Sequence, residues 1–251
     1  MVQSASMTRR SFIASSAAIT SLRLNAAESS PERKFQLGCV TYNLLKDMDL
    51  ETMIRTLEAA GVKLLSYGTT CEFQSPDAAE RKRQIESGKS FVDLARDTGA
   101  LGVKVRPNGM PDGVPYETTI KNISDGLREL ADYGQTKGVE IWMEVHGRRT
   151  QEPKISAEIL KTTAHKNVGA CWNSNPTDVK DGSVKESFDL LKPFLRSAHI
   201  NELYSSYPWR EFFRLLRESG YNRYTLAEVA ESKEPERFLH YYQALWRQLS
   251  A

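Results

Sequence analysis

The sequence predicts an α/β protein that folds as one parallel (β/α) barrel of the TIM type and lacks one β/α unit. Three observations lead to this prediction. Short apolar runs alternate with amphipathic stretches of helical period along the chain. The pairs recur at a regular spacing, which is typical of βαβ units and a parallel sheet. Only seven such pairs are found in the 251 residues.

The apolar runs are interpreted as strands, and most of them end in polar residues. They are Leu37–Asn43, Lys63–Thr69, Gly102–Arg106, Glu140–His146, Val168–Asn173, Ser197–Asn201 and Tyr224–Val229. The predicted helices are Leu50–Ala60, Asp77–Thr98, Glu117–Lys137, Ile155–Thr163, Ser183–Lys192, Trp209–Ser219 and Glu236–Leu249. Several of these helices end beside a glycine, as at Gly99 and Gly138, which is a common signal for a helix end.

The first turn of the predicted sheet favours a barrel over a doubly wound sheet. A doubly wound sheet usually has a glycine-rich phosphate turn after its first strand. The corresponding segment here, Asn43–Asp47, contains no glycine. A complete barrel has eight units and about 250 residues, whereas 224 residues follow Ala27. The count therefore predicts seven units.

Residues 1–34 are interpreted as an export leader and linker, and residues 35–251 as a single barrel domain. Arg9 and Arg10 precede a weakly apolar stretch, Ala14–Leu22, and small residues follow at Asn25–Ala27. This arrangement resembles the bacterial twin-arginine signal, which carries folded proteins across a membrane. The leader predicts a periplasmic or extracellular location.

Charge and cysteine content exclude several classes of function. The first 27 residues hold three of the 34 basic residues and no acidic one, which leaves 31 basic against 32 acidic residues, a net charge of −1. Such a body has no electrostatic footprint for nucleic acid. No run after the leader is long enough to span a membrane. The three cysteines show no zinc or redox spacing and are predicted to be buried free thiols.

Polar residues gather where the predicted strands end, which is where barrel enzymes carry their catalytic groups. These residues are Lys104, Arg106, Glu144, His146, Asn173, His199, Asn201 and Glu228. A carboxylate between apolar neighbours is costly to bury unless it is paired or bound to a metal. Two glutamates, a histidine and an amide oxygen from different strands would form an oxygen and nitrogen cage. That ligand set suits Mn²⁺, Mg²⁺, Co²⁺ or Zn²⁺.

Each of these residues also has a structural interpretation. Glu144 could form an interior salt bridge with Lys104 or Arg106, because buried charges are usually paired. His199 alone could be a hydrogen-bonded core histidine. Asn173 could be a turn residue ahead of Pro176. A site explains all of them together better than four separate structural roles do.

Four segments resemble the xylose-isomerase-like barrel superfamily, in particular the sugar phosphate isomerase/epimerase family. They are WMEVHG at Trp142–Gly147, VGACWNSNPTD at Val168–Asp178, AHINEL at Ala198–Leu203 and YTLAEVAES at Tyr224–Ser232. The resemblance covers nearly all of Leu37–Leu249.

The resemblance implies one divalent metal held by Glu144, Asn173, His199 and Glu228. Asn173 stands where the family usually has aspartate, so the site has one negative charge fewer and should hold its metal less tightly. Pro176 stands where the family often has a histidine.

The family chemistry implied by the resemblance moves a proton or hydride between adjacent carbons of a polyhydroxy carbonyl compound, in its epimerases by way of an enediolate. Glu144 and Glu228 would be the acid/base pair. His146 and Asn201 are candidates for contacts with a sugar substrate, and Lys104 or Arg106 for a phosphate or carboxylate.

The resemblance also places the missing unit. In such barrels a second strand and helix separate the first helix from the segment that Leu64–Gly68 resembles, but here Leu57–Val62 runs directly into it. About one unit is therefore absent after Gly61. The barrel must close with seven strands or leave a seam, whose free strand edges could form a homo-oligomer contact.

Three rival functions are weighed against a metal-dependent sugar isomerase or epimerase. A keto-sugar dehydratase or lyase would use the same residues. A non-catalytic sugar-binding barrel is favoured by Asn173, Pro176 and the missing unit. A phosphodiester endonuclease on the same barrel needs a histidine-rich, basic site, and four histidines with a net charge of −1 argue against it.

Overall fold

The computed structural model describes residues 32–61 and 65–251. The compact unit Arg33–Ala251 contains the sheet, the helices and the candidate site. The predicted export leader lies outside the described residues and stays a prediction. No helix within the described ranges is long and apolar enough to cross a membrane.

One parallel sheet carries the strands of the described residues, and its helices lie between successive strands along the chain. The strands are β1 Gln36–Cys39, β2 Ser66–Glu72, β3 Gly102–Arg106, β4 Glu140–Glu144, β5 Val168–Trp172, β6 Leu195–Ile200 and β7 Tyr224–Ala227. The helices are α1 Thr41–Leu44, α2 Leu50–Ala59, α3 Ala78–Thr98, α4 Tyr116–Lys137, α5 Pro153–Thr163, α6 Lys185–Leu191, α7 Trp209–Glu218 and α8 Pro235–Ser250.

The strand order is β1-β7-β6-β5-β4-β3-β2, so the first strand pairs with the last. Gln36 lies opposite Tyr224, and Ser66 lies opposite Gly102 at the other edge. Among the described residues no strand pairs with the free edge of β1 or of β2. The sheet curls into an incomplete barrel with a seam between these two strands, which confirms the prediction of a TIM-type barrel that lacks one unit.

The seam lies where the sequence indicates the missing unit. Helix α2 belongs to the β1 side, because Gln243 on α8 donates a hydrogen bond to the carbonyl of Ala60 at 3.2 Å. Leu65 lies five residues after Ala60 in the sequence and directly precedes β2. The chain therefore passes from one flank of the seam to the other with no intervening strand and helix.

The predicted bounds of the second strand are wrong. The sequence places the strand at Lys63–Thr69, whereas β2 runs from Ser66 to Glu72. The reason is a shift in the pairing of β2 with β3, because Gly68 lies opposite Lys104 but Glu72 lies opposite Arg106. Two extra residues on β2 bulge between these pairs, and this bulge hides the regular alternation of strand residues.

Aromatic side chains fill the space between the sheet and the last helices. Trp172 is 1% exposed, lies 5.0 Å from the ring of Phe212, and donates its indole N–H to the hydroxyl of Tyr207 at 3.0 Å. Phe35 packs against Phe213 at 5.9 Å, which ties the start of the barrel to α7. The predicted free thiols are also found: Cys39, Cys71 and Cys171 are buried and unpaired.

The glycines expected at helix ends have the conformation that the position demands. Gly99 and Gly138 follow α3 and α4 with φ values of 72° and 71°, in the left-handed region. A side chain there would meet strain that glycine avoids, and the left-handed residue lets its amide reach back to the last turn of the helix. These two caps direct the chain from the outer helices back into the sheet.

Candidate active site

The four predicted metal ligands lie at the carboxyl ends of four neighbouring strands. Glu144 is the last residue of β4, Asn173 follows β5, His199 lies in β6, and Glu228 follows β7. All four line one cavity of about 400 Å³. This volume falls in the range of small-molecule sites, about 300–1,000 Å³. Parallel strands bring their ends to one edge, so residues far apart in the sequence meet there.

His199 lies between the two glutamates. Its Nδ1 atom is 3.2 Å from Oε1 of Glu144 and 3.3 Å from Oε2 of Glu228. Candidate ligand atoms of the three residues all lie within 4.8 Å of one another. The alignment at Nδ1 is not that of a hydrogen bond, and this buried atom has no hydrogen-bond partner among the described residues. The contacts of His199 with the two glutamates are therefore those of opposite charges, or of three ligands placed around one metal ion.

Asn173 contributes a fourth potential ligand atom. Its Oδ1 is buried and has no hydrogen-bond partner among residues 32–61 and 65–251. A buried carbonyl oxygen without a partner costs about 1–3 kcal/mol, and a cation would remove that cost. Two carboxylates, one imidazole and one amide oxygen fit a divalent metal such as Mg²⁺, Mn²⁺, Co²⁺ or Zn²⁺. The residues present therefore fit the implied metal.

The pKa values of Glu144, His199 and Glu228 reflect their burial and the charges that they place on one another. Burial alone raises the pKa of Glu144, but His199 and the ammonium group of Lys104 bring it down to about 2. Burial also raises the pKa of Glu228, and His199 holds it below its ordinary value. Burial lowers the pKa of His199, but Cys171 and the two carboxylates raise it well above 6.5.

Both predicted anion-binding cations line the cavity, and each is already paired with a carboxylate. Lys104 lies 2.7 Å from Oε2 of Glu144. Arg106 lies 3.0 Å from Oε1 of Glu72, which also accepts a hydrogen bond from Asn108 at 2.8 Å. The other oxygen of Glu72 accepts from Gln74 at 2.6 Å. The interior salt bridge between Glu144 and Lys104 is therefore present alongside the His199 contact.

Only one of the two predicted sugar-contact residues, His146, lines the cavity. Its buried Nδ1 has no partner among the described residues, so this atom is available to a ligand hydroxyl. Asn201 is not among the residues that line the cavity. Its side-chain amide is directed at the carbonyl of Ser174, at 3.4 Å.

Sequence reasoning missed the contribution of β2 to the cavity. Ser66, Gly68, Thr69 and Thr70 all line it, and Glu72 holds Arg106 in place. The sequence does carry a signal for Glu72, because a carboxylate near a strand end is also the feature that marks Glu144. The misplaced end of the second strand, three residues too early, concealed it.

Asp178 is a further buried acid that the sequence did not single out. It lies in a short 3₁₀ turn after β5 and is 1% exposed. Its Oδ2 accepts hydrogen bonds from the amide of Asn175 at 2.7 Å and from the hydroxyl of Tyr207 at 3.1 Å. Oδ1 is buried without a partner among the described residues. Burial raises the pKa of Asp178 to about 7, so the loop that carries Asn173 packs against an acid that keeps its proton below about pH 7.

Comparison with known proteins agrees with this architecture. The sequence matches the family described as xylose isomerase-like TIM barrel over residues 24–245. A comparison with curated protein sequences found no match.

Solved structures with the same fold cover most of the chain at low identity. D-psicose 3-epimerase from Clostridium cellulolyticum H10, solved with D-tagatose, is 16% identical, with a TM-score of 0.63 over 78% of this chain and 84% of its own. The 3-keto-D-glucoside 4-epimerase from E. coli is 14% identical, with a TM-score of 0.66 over 79% of this chain and 84% of its own.

A third similar structure contains a metal. A xylose isomerase-like TIM barrel protein from Mycobacterium smegmatis, in complex with magnesium, is 17% identical and has a TM-score of 0.59. The match covers 82% of this chain and 81% of that protein. At these identities the comparisons show a shared fold.

The raised pKa of Asp178 predicts a specific loss of stability as the pH rises. The native state keeps this proton up to about pH 7, whereas an unfolded aspartate loses it near pH 4. Between these values the native state binds more protons, so its free energy of unfolding falls as pH rises, on the order of a few kcal/mol. Asp178→Asn should reduce the difference in unfolding free energy between pH 5 and pH 8, measured by urea denaturation.

The exposed neighbour Asp181 supplies the control. Asp181→Asn should leave the pH dependence of the parent unchanged, because Asp181 is exposed to solvent in the native state as it is in the unfolded state. An Asp178→Asn variant with the pH dependence of the parent would contradict the assignment of a neutral Asp178.

Proposed function

The chain belongs to the xylose isomerase-like TIM barrel family, and from this premise we propose that it is a divalent-metal-dependent isomerase or epimerase of a sugar or sugar-like polyhydroxy carbonyl compound. One observation carries the proposal: Glu144, His199 and Glu228 meet in a cavity at the carboxyl ends of the strands, with ligand atoms within 4.8 Å. In barrel enzymes the catalytic groups usually lie at that edge of the sheet.

The similar structures support the same class of chemistry. Two of them are sugar epimerases by name, and a third is a complex with magnesium. Glu144, Asn173, His199 and Glu228 would hold the metal. When bound, a divalent metal would polarise the carbonyl oxygen and the neighbouring hydroxyl oxygen of the substrate. This would acidify the hydrogen on the hydroxyl-bearing carbon beside the carbonyl group.

The two glutamates would move the proton. One carboxylate removes a proton from the carbon beside the carbonyl group, and the other glutamate, carrying a proton, returns one to the opposite face. The first glutamate ends the reaction protonated and the second ionised, so the proton count balances. Lys104 keeps Glu144 ionised through its 2.7 Å contact. His146 would orient the substrate by hydrogen bonding a hydroxyl group to its unpartnered Nδ1.

The charges at the cavity favour a substrate without a phosphate group. Lys104 and Arg106 line the cavity, but Glu144 and Glu72 already neutralise them. A phosphate would have to break one of these pairs and leave a carboxylate without its cation, which is costly in a closed site. A neutral sugar leaves both pairs intact.

Deuterium exchange tests the proton transfer without knowledge of the product. Manganese-loaded protein incubated in D₂O with D-fructose or D-psicose should place deuterium on the carbon beside the carbonyl group, as followed by NMR. Glu144→Gln and Glu228→Gln should each slow the exchange by at least about a hundredfold, because each removes an acid/base group.

The same experiment separates the alternative functions. A keto-sugar dehydratase or lyase would consume the ketose by eliminating water or cleaving a carbon–carbon bond. A non-catalytic sugar-binding barrel would bind sugar with equal affinity when metal-free and would exchange no deuterium. Sugar binding without exchange would refute the isomerase or epimerase proposal.

Metal binding is predicted separately, by mass spectrometry of metal content and by calorimetric titration with Mn²⁺. The parent should bind close to one ion, and Glu144→Gln and Glu228→Gln should weaken binding at least tenfold, because each removes one charge from the ligand set. Glu231→Gln is the matched control, since Glu231 lies three residues beyond Glu228 but is exposed and paired with Lys46. Equal affinity in all four proteins would contradict the site.

Asn173 provides a gain-of-affinity prediction. Asn173→Asp places a negative charge on the atom that is now an unpartnered amide oxygen, so the affinity for Mn²⁺ should rise about tenfold or more. Asn201→Asp adds the same charge at the end of the adjacent strand, outside the cavity, and should change the affinity much less. If the two variants gain equally, net charge rather than ligation is responsible.

A further inference from the structure

The cavity extends away from the candidate metal ligands into the seam. Its wall includes Cys39 at the end of β1, Val40 and Thr41 directly after it, and Ser66 and Thr70 on β2. These two strands are the free edges of the sheet. A complete barrel would place a further strand between them, so the cavity uses space that the missing unit would occupy.

The two ends of the cavity differ in exposure. At the ligand end Glu144 and His199 are each 3% exposed, and Asn173 is 9% exposed. At the seam, Gly68 and Thr70 are exposed to solvent although both line the cavity. The site therefore has a closed end, where the candidate chemistry lies, and an open end along β2.

Small side chains keep the open end clear. Ser66, Gly68 and Thr70 line the cavity together with Thr69, and all four are small, whereas barrel interiors usually carry bulky branched residues. A Cβ atom built at Gly68 would have only the Cε of Lys104 within 4 Å, at 3.6 Å. We call this channel, bounded by the end of β1 and by Ser66, Gly68 and Thr70 of β2, the seam trough.

The β2 side of the seam trough is polar, and the trough carries no free charge among the described residues. Within that part of the chain no hydrogen bond uses the hydroxyl of Ser66 or Thr70, whereas Thr69 donates to the carbonyl of Lys104 at 2.8 Å. Lys104 and Arg106, the nearest cations, are paired with carboxylates. Free hydroxyls without net charge match the hydroxyl groups of a neutral sugar ring better than an anionic group or an alkyl chain.

We propose that the seam trough binds a second sugar ring, so that the substrate is a neutral keto-disaccharide or glycoside rather than a single sugar. The reacting sugar lies at Glu144, His199 and Glu228, and the ring attached to it extends between β1 and β2. This inference rests on the proposed function, since it requires the reacting sugar to occupy the buried end.

Binding to the manganese-loaded protein tests the proposal by calorimetry with three sugars. D-fructose is the single ring, and isomaltulose and lactulose carry a second ring on O6 and on O4 of fructose. At least one disaccharide should bind the parent at least tenfold more tightly than fructose, because the second ring adds contacts in the seam trough. If fructose binds and both disaccharides bind more weakly than fructose, the inference is overturned and the proposed function still stands.

A variant that fills the seam trough gives a second, independent result. Thr70→Trp should raise the ratio of disaccharide to fructose dissociation constants at least tenfold. Thr118→Trp, the same substitution at an exposed position of α4 outside the cavity, should leave this ratio at the parent value. Thermal denaturation and manganese content identify a Thr70→Trp protein that has not folded, in which case the parent comparison decides.

Two further outcomes would overturn the inference. An unchanged ratio in folded Thr70→Trp would overturn the inference, because a large ring in the seam trough would then cost nothing. If none of the three sugars binds to protein that holds manganese, the proposed function fails and the inference fails with it.

Discussion

Glu144 brings a negative charge into the buried end of the cavity, where it is 3% exposed, and the arrangement of the neighbouring groups follows from that constraint. A buried carboxylate is stable only if other groups replace the water that it loses. Lys104 meets one of its oxygens and His199 the other. His199 in turn brings Glu228 close. Because these residues come from four separate strands, the charge balance of the site depends on the register of the whole sheet, and a slip in one strand would leave a charge without its partner.

The same constraint explains how much of the site could be predicted from the sequence. A glutamate between apolar neighbours, as in Trp142–Gly147, is conspicuous because burial of its charge needs a reason, and the position of parallel strand ends makes such residues converge. Glu144, Asn173, His199 and Glu228 could be found in this way. The pairing of Arg106 with Glu72 could not, since it depends on where β2 ends, and a two-residue bulge moves that end. Asp178 was also hidden, because only tertiary packing buries it.

The fold shows a similar division between local and global information. Alternating apolar and amphipathic segments predicted seven strands and their helices, and Gly102–Arg106 agrees with the structure at both ends. The sequence alone left open whether seven strands would close into a ring or leave a seam. That choice depends on strand tilt and on the pairing of distant edges, which no local pattern records. In the structure the edges stay apart, and within the described residues each of β1 and β2 keeps one edge without a strand partner.

The pairing of β1 has a consequence for the order of events as the chain is made. In an eight-stranded ring the first strand has a neighbour that is synthesised soon afterwards. Here the hydrogen-bonded neighbour of β1 among the described residues is β7, and Gln36 pairs with Tyr224, which lies far along the sequence. Contacts of such large sequence separation form late and slow the folding of a domain. Strand β1 therefore remains without this sheet partner until Tyr224–Ala227 has been synthesised, and until then its backbone N–H and C=O groups stay open to a chaperone.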